Sequence, residues 1–199
     1  MSAEPGVLIK PAGPRQVALV ADILADAFRE DAVTAWISHD PQYPKWMWLL
    51  VTPLLLPYNE TYVTEDGSGA ALWLPPGVQR DMLPGFDMLM DGLWRFGSGA
   101  FFRFFQFMSM LEKYHPKERH YYLFAIGVCC ASRGRGVGSA LLHHVLQKCD
   151  RQKVGAYLES SNPHNISLYQ RHGFEIQRTI KLPRNGPALS LMYRQPQPV

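Results

Sequence analysis

The chain reads as an α/β protein with a mixed sheet flanked by helices, and three observations predict this. Apolar runs of strand length alternate with segments whose apolar residues recur at helical spacing. Two hairpin patterns, at residues 61–76 and 174–194, frame a strand, a glycine-rich loop, a helix and a second strand. There is no internal repeat and no linker long enough to separate domains, so one domain over residues 1–199 is expected.

VLIKPA, Val7 to Ala12, is a first strand, and PRQVALVADILADAFRED after it has apolar residues at helical spacing. PKWMWLLVTPLLL is a second, buried helix, expected to break near Pro53 or Pro57. TYVTEDGSGAALWLPP is a hairpin with Glu65 to Gly69 as its turn. Residues 81–115, rich in Met, Phe and Trp, suggest two or three short helices interrupted by Gly92, Gly97 and Gly99. A strand follows over Tyr121 to Val128, then a helix over Gly136 to Cys149. A strand over Val154 to Glu159 and a short helix over Asn165 to Arg171 come next. The closing hairpin, FEIQRTIKL and ALSLMYR, should turn at Asn185-Gly186.

Composition sets outer bounds. At 47% hydrophobic and 19% charged residues the chain is globular. No apolar run approaches the roughly 20 residues of a membrane span. MSAEPGVLIK lacks the long apolar stretch of a signal peptide, so a cytoplasmic location is expected. Three cysteines, with Cys129 and Cys130 adjacent, suggest no disulfide framework. No Cys/His spacing resembles a zinc site, so no metal is expected, and His143-His144 is read as part of a solvated helix face. A net charge of +3 suits an anionic ligand and falls short of a nucleic-acid footprint.

The most informative run is RGRGVGSALL, Arg133 to Leu142, between an apolar strand and a helix. Alternating glycines let backbone amides approach an anion at a helix N-terminus, where unpaired N–H groups and the helix dipole favour phosphate. A tight strand-to-helix turn is the structural alternative. A Walker loop would need Gly-Lys-Ser/Thr, and no lysine is near. A dinucleotide fingerprint is almost matched by Gly134, Gly136 and Ser139, with Glu159 as its acid, but too little chain follows for a second nucleotide-binding half.

Arg133-Gly134-Arg135-Gly136-Val137-Gly138 fits Q/R-x-x-G-x-G/A, and LESSNPHNISLYQRHGFE follows with asparagines, then Leu-Tyr, then Gly-Phe. In that order and spacing the two motifs resemble the GNAT N-acetyltransferase superfamily, and the pattern looks most like the group of puromycin N-acetyltransferase and its relatives. The resemblance is strong over Tyr121 to Met192, while residues 1–115 match only in outline. It implies the GNAT acyl-CoA N-acyltransferase fold, with a mixed central sheet and a splayed pair of strands flanked by helices. Residues 1–115 would then be the acceptor side, and residues 116–199 would bind acetyl-CoA as co-substrate.

The resemblance also implies roles. Gly134, Arg135, Gly136, Val137, Gly138 and Ser139 would hold the diphosphate through backbone amides, with Arg133 and Arg135 adding charge. Amides near Val128 and Cys130, freed where the strands splay, would bond the acetyl carbonyl and the pantetheine arm. The family usually has a proline near this strand's end, where this chain has Cys129-Cys130-Ala131. Tyr169 occupies the Leu-Tyr position and would be the general acid on the coenzyme sulfur; the alternative is a phenol that only packs beside Phe174. Asn165, with Asn162 before it, would cap the short helix and touch the coenzyme. The family's base position falls on Tyr122 and Phe124, neither an efficient base at neutral pH, which leaves His120, Glu159 and His115 as nearby candidates.

Large side chains of the first half, Phe28, Trp36, Tyr43, Trp46, Trp73, Phe86 and Trp94 together with FFRFFQFM, divide between core and acceptor pocket. Their density favours a small amphipathic amine acceptor, with a protein N-terminus or lysine as second choice. One of Asp26, Glu30 and Asp31 could meet the acceptor ammonium, or all could be a solvated helix face. An acyl-CoA-binding sensor without turnover and a nucleotide-binding oxidoreductase are the readings from other classes. Nucleic-acid and membrane partners are not expected. An aromatic, Met-rich surface could support a homodimer.

Overall fold

The computed structural model describes residues 7–78 and 85–198. Strands β1 (Ile9–Pro11), β2 (Thr61–Thr64), β3 (Gly69–Leu74), β4 (His120–Val128), β5 (Gly155–Ser160), β6 (Glu175–Lys181) and β7 (Ala188–Arg194) build one sheet in the order β1-β2-β3-β4-β5-β7-β6. All neighbours are antiparallel except β4 and β5, which run parallel because the helix α5 (Val137–Gln152) carries the chain between them. Helices α1 (Val17–Ala27), α2 (Ala32–Ile37), α3 (Tyr43–Leu55) and α4 (Phe86–Tyr114) precede β4, and α6 (Ile166–Arg171) follows β5.

Every residue of β2 and β3 is buried, because helices cover both faces of the sheet. On one face Leu24 of α1, Trp48 and Leu55 of α3 and Leu111 of α4 pack on Leu72, Tyr122 and Leu189. On the other face Leu141, Leu142, Val145 and Leu146 of α5 pack on Trp73, Tyr121, Leu123 and Leu158. The heptad-like spacing of these α5 residues is what sequence periodicity detects.

Several local expectations are corrected. Residues 81–84 of the aromatic segment, and residues 1–6, lie outside the described residues. From Phe86 onward the segment is two helices joined across a kink at Gly97, where φ is 77°, so the expected break at Gly97 is present and those at Gly92 and Gly99 are not. Gly92 does not interrupt the first of them: its bare Cα accommodates the Trp46 ring, and a Cβ there would come within 2.6 Å of that ring. Gly99 likewise keeps helical backbone. Pro53 sits inside α3 without breaking it, within the last turn, and the helix ends before Pro57. The α2 helix, six residues capped by Asp31, had no separate sequence signal.

The closing turn shifts by one residue. Arg184 and Asn185 take left-handed φ of 53° and 58°, and Gly186 N–H closes the turn on the Pro183 carbonyl at 3.0 Å. A turn centred on Asn185-Gly186 would need an N–H from residue 187, which is proline. His144, expected on a solvated face, is half-buried with its ring edge against Tyr62 at 4.5 Å. No described helix is long and apolar enough to cross a membrane.

Candidate active site

β4 leaves β3 through a last backbone bond, Cys129 N–H to the Ser68 carbonyl at 2.9 Å, and the chain turns through Cys130–Ser132. Gly134 and Gly136 then adopt φ of 77° and 78°, a conformation open to glycine at no steric expense. The first α5 hydrogen bond runs from Ala140 N–H to the Gly136 carbonyl. Val137, Gly138 and Ser139 therefore present amides with no helical acceptor, at the positive end of a 16-residue helix. A Cβ built on Gly134 or Gly136 meets nothing within 4 Å, so the space before these amides is open. Arg133 Nη2 donates to the Ala27 carbonyl at 3.2 Å, and both arginines are exposed beside the loop. The donor set fits a diphosphate.

The gap beside this loop follows from strand register. β5 pairs with β4 only from His120–Gly155 to Leu123–Leu158, whereas β4 runs on to Val128. Backbone direction alternates along a strand. Since Cys129 N–H faces β3, so do Gly127 and Ala125, while Ile126 and Val128 turn their amides into the gap. This corrects the expected pair. Val128 faces the gap, but Cys130 N–H is directed at Asp26 Oδ2, 2.8 Å away. Ile126 takes the second place, and counting back two from Val128 was the signal available in the sequence.

Through the gap the cradle meets a cavity of about 500 Å³. α4 supplies one wall with Met88, Leu89, Phe96, Phe104, Phe107 and Met108; Phe28, Tyr43, Trp46 and Val51 supply another. The large residues thus sort into four groups. Phe28, Tyr43 and Trp46 line the cavity, Trp73 is fully buried beneath α5, and Phe86 and Trp94 are exposed at 75% and 82%. Trp36 borders a separate shallow depression with Arg103 and Arg184.

Polar groups gather where cavity and gap join. Tyr169 of α6 lines the cavity while packing edge-on against Phe174, centroids 6.1 Å apart. Burial raises its pKa above the usual phenol value, and the negative charge of Asp31 adds to the rise. On the floor, Tyr122 O–H donates to Glu159 Oε2 at 2.6 Å, a diagonal cross-strand contact just beyond the last β4–β5 pair. Behind them His115 Nδ1 lies 4.0 Å from Glu159 Oε1, and the His115 and His120 Nε2 atoms are 3.1 Å apart. Sequence reading named each of these groups but not their connection.

Of the three acids near the end of α1, Glu30 and Asp31 line the cavity and Asp26 does not. Asp31 is committed elsewhere: Oδ1 caps α2 on Val33 and Thr34 N–H, and Oδ2 accepts from Ser161 Oγ. The cap before α6 is also reassigned. Asn162 Oδ1 accepts His164 N–H at 2.9 Å, while Asn165 makes no side-chain cap, because a 3₁₀ turn over Pro163–Asn165 precedes the helix. Both asparagines line the cavity.

A mixed seven-stranded sheet, splayed at its central parallel pair beside a glycine cradle, is the GNAT architecture. Residues 97–174 match the model of the acetyltransferase (GNAT) family. An uncharacterized N-acetyltransferase of Schizosaccharomyces pombe is 30% identical over 196 residues, covering 89% of this chain and 78% of the relative. Among solved structures, histone acetyltransferase HPA2 and related acetyltransferase from Corynebacterium glutamicum has a TM-score of 0.70 at 24% identity. That match covers 97% of this chain and 98% of that one. An agmatine N-acetyltransferase reaches the same TM-score, 0.70, at 15% identity, with 96% and 100% covered. The chain belongs to the GNAT family and is an acetyl-CoA-dependent N-acetyltransferase.

Proposed function

We propose that the chain works as a single domain that moves the acetyl group of acetyl-CoA to a primary amine on a small amphipathic acceptor, by direct attack in a ternary complex. The observation that carries this is the junction itself: a walled aromatic cavity meets the cradle through the β4–β5 gap, with Tyr169 and Glu159 beside it. A walled cavity of this size suits one compact molecule better than a peptide lying across a surface. Its aromatic walls bury an apolar body, and the Glu30 and Glu159 carboxylates receive an ammonium. The acetylation of agmatine by a protein of the same fold is consistent with a small amine. The two signatures support reading the coenzyme half as similar to the puromycin N-acetyltransferase group, and the chain is read as cytoplasmic.

In this reading Val137, Gly138, Ser139 and the loop amides hold the diphosphate, and Ile126 and Val128 amides hold the arm and polarise the acetyl carbonyl. Glu159, steadied by Tyr122, takes the ammonium proton. Tyr169 protonates the leaving sulfur. Its raised pKa keeps the proton on oxygen until charge has developed on the thiolate.

The test begins with thermal stability against acetyl-CoA and NAD. Acetyl-CoA at a hundred times its dissociation constant should stabilise by about 2.7 kcal/mol, and NAD should not. Thiol release is then screened with aromatic and aliphatic amines and an N-terminal peptide. Intersecting initial-rate patterns with a small amine support the proposal. Parallel patterns, or a peptide as the preferred acceptor, overturn it.

A further inference from the structure

Residues 86–96 form the part of α4 that precedes the Gly97 kink. At φ 77° and ψ 167°, Gly97 interrupts the helical backbone, so the second part of α4 does not fix where the first part lies. Outward, Phe86, Met90 and Trp94 are exposed. Inward, Met88, Leu89, Gly92 and Phe96 line the cavity. Their position is set by contact with Trp46 of α3, whose Nε1–H donates to Asp91 Oδ2 at 2.7 Å. Among the described residues this is the one side-chain hydrogen bond that ties residues 86–96 to another element.

The bond is built from both sides. Arg95, one turn on, donates from Nε to both Asp91 oxygens at 2.8 Å. The indole bond first, and Arg95 after it, hold the Asp91 carboxyl below the ordinary carboxylate range. The acceptor is thus an anion at neutral pH, and the indole bond is charge-assisted. Gly92, the next residue, brings its bare Cα against the same ring. Phe96 meets that ring at 4.9 Å, and buried Tyr43 closes the triangle at 5.2 Å from Phe96 and 6.0 Å from Trp46. Apolar contact sets how closely helix and indole approach, and the hydrogen bond sets the rotation of the indole.

We infer that Asp91 is a positioning residue for acceptor selection: by holding the Trp46 indole it fixes residues 86–96 as a cavity wall and restricts the site to compact amines. This rests on the acetyltransferase reading above. The wall meets the acceptor's apolar body and not its reacting atoms, so its contacts are alike in the bound substrate and the transition state. Losing the bond therefore changes KM and the choice between amines, and leaves kcat in place. Trp46 and Asp91 are both half-buried and regain water when the bond is broken, so the fold survives its loss.

Two measurements test this, one independent of turnover. In ¹H–¹⁵N NMR of the ligand-free protein, the Trp46 indole N–H is identified by its loss in Trp46→Phe. Its exchange with water should be slow in the wild type and fast in Asp91→Ala. Asp91→Asn, which keeps an acceptor oxygen, should lie between them. Equal exchange in wild type and Asp91→Ala overturns the inference whether or not the protein transfers acetyl groups.

Steady-state kinetics then compare the small amine found by screening with a homologue enlarged by one ring. Asp91→Ala should raise KM for the small amine about tenfold, with kcat within about twofold. The small amine's advantage over the larger one should fall by a similar factor, and Asp91→Asn should recover most of both. In a Trp46→Phe background, which lacks the N–H, Asp91→Ala should add nothing. Should Asp91→Ala not fold, Asp91→Leu carries the same predictions. Losses that add, a loss confined to kcat, or an unchanged preference between the amines overturns the inference and leaves the acetyltransferase reading standing. Slow indole exchange in a protein that acetylates no amine overturns that reading and the selectivity built on it.

Discussion

Asp26 Oδ2 accepts the Cys130 N–H at 2.8 Å, joining residues 104 positions apart and fixing the end of α1 to the point where β4 becomes the cradle. The same carboxylate pairs with Arg29 at 2.8 Å. It thereby replaces the rigidity that a proline would give the Cys129-Cys130-Ala131 stretch. That backbone bond is the main reason the Asp26 pKa lies below the ordinary carboxylate value.

Asp26→Ala should therefore weaken acetyl-CoA binding about fivefold, the worth of roughly 1 kcal/mol of lost hydrogen bonding. Asp26→Asn, which keeps an acceptor oxygen, should lose less. Because the folded pKa is depressed, the carboxylate's contribution is present above the usual pKa of about 3.9 and disappears as pH falls through the lower folded value. Calorimetric titration of both variants with acetyl-CoA checks the order. Equal affinities for wild type and Asp26→Ala would remove the anchoring role.

The buried pair of Arg194 and Asp150 pins the end of β7 to the end of α5 through two bonds of 2.7 and 2.8 Å. Arg194 also donates to the His172 carbonyl at 2.7 Å, and Gln197 N–H to Asp150 Oδ1 at 2.7 Å. Arg194→Ala or Asp150→Ala strands a charge, and each should destabilise by about 3–5 kcal/mol. The hydrogen bond from Arg194 is the chief cause of the lowered Asp150 pKa. Its stabilisation is complete above the unfolded carboxylate value and is lost as pH falls on through the lower folded value. Urea midpoints at pH 7 and pH 3 should converge between wild type and Asp150→Ala. A constant difference between them would contradict the pairing.

Legibility in the sequence tracked how local each signal was. The cradle could be read because Gly134, Gly136 and the start of α5 are contiguous and their chemistry is backbone chemistry. The β2–β3 hairpin was equally plain, with Asp66 Oδ1 accepting Ser68 N–H inside its turn. The Asn185-Gly186 pair misled by one residue because turn propensity was weighed without the missing N–H of Pro187. Glycine frequency suggested breaks at Gly92 and Gly99, yet what decides is the partner: Gly92 is bare to admit Trp46, and only Gly97 takes positive φ. The Glu159–His115–His120 chain was not legible, because its distances arise from the β4–β5 register and the placement of α4's end.

Gly136 and Gly138, two residues apart, should respond oppositely to alanine. Gly136 holds φ of 78°, so a Cβ strains the loop by roughly 1–2 kcal/mol, and it stands where the anion must approach. Gly138 is helical, and a Cβ there meets Leu168 and Val128 at 3.5 and 3.8 Å, ordinary contacts. Gly136→Ala should lose most acetyl-CoA-induced stabilisation. Gly138→Ala should keep it and gain slightly in intrinsic stability through helix propensity. Thermal midpoints with and without acetyl-CoA separate the two. Similar losses in both variants would mean the amides beyond the loop, and not the loop's shape, hold the ligand.

Tyr169→Phe separates an acid from a packed ring. The ring's contact with Phe174 survives the change, so stability should shift little. The phenol oxygen alone is lost, and kcat should drop about a hundredfold with acetyl-CoA affinity retained. The pH dependence gives a second reading. Burial raises the Tyr169 pKa, so its proton is present at ordinary pH and lost only as pH climbs beyond the usual phenol value of about 10. A basic limb well below pH 10 in the wild-type kcat profile must then belong to another group and persist in Tyr169→Phe. If that limb vanishes in the variant, the tyrosine titrates far lower than its burial allows, and the acid's surroundings must differ when both substrates are bound.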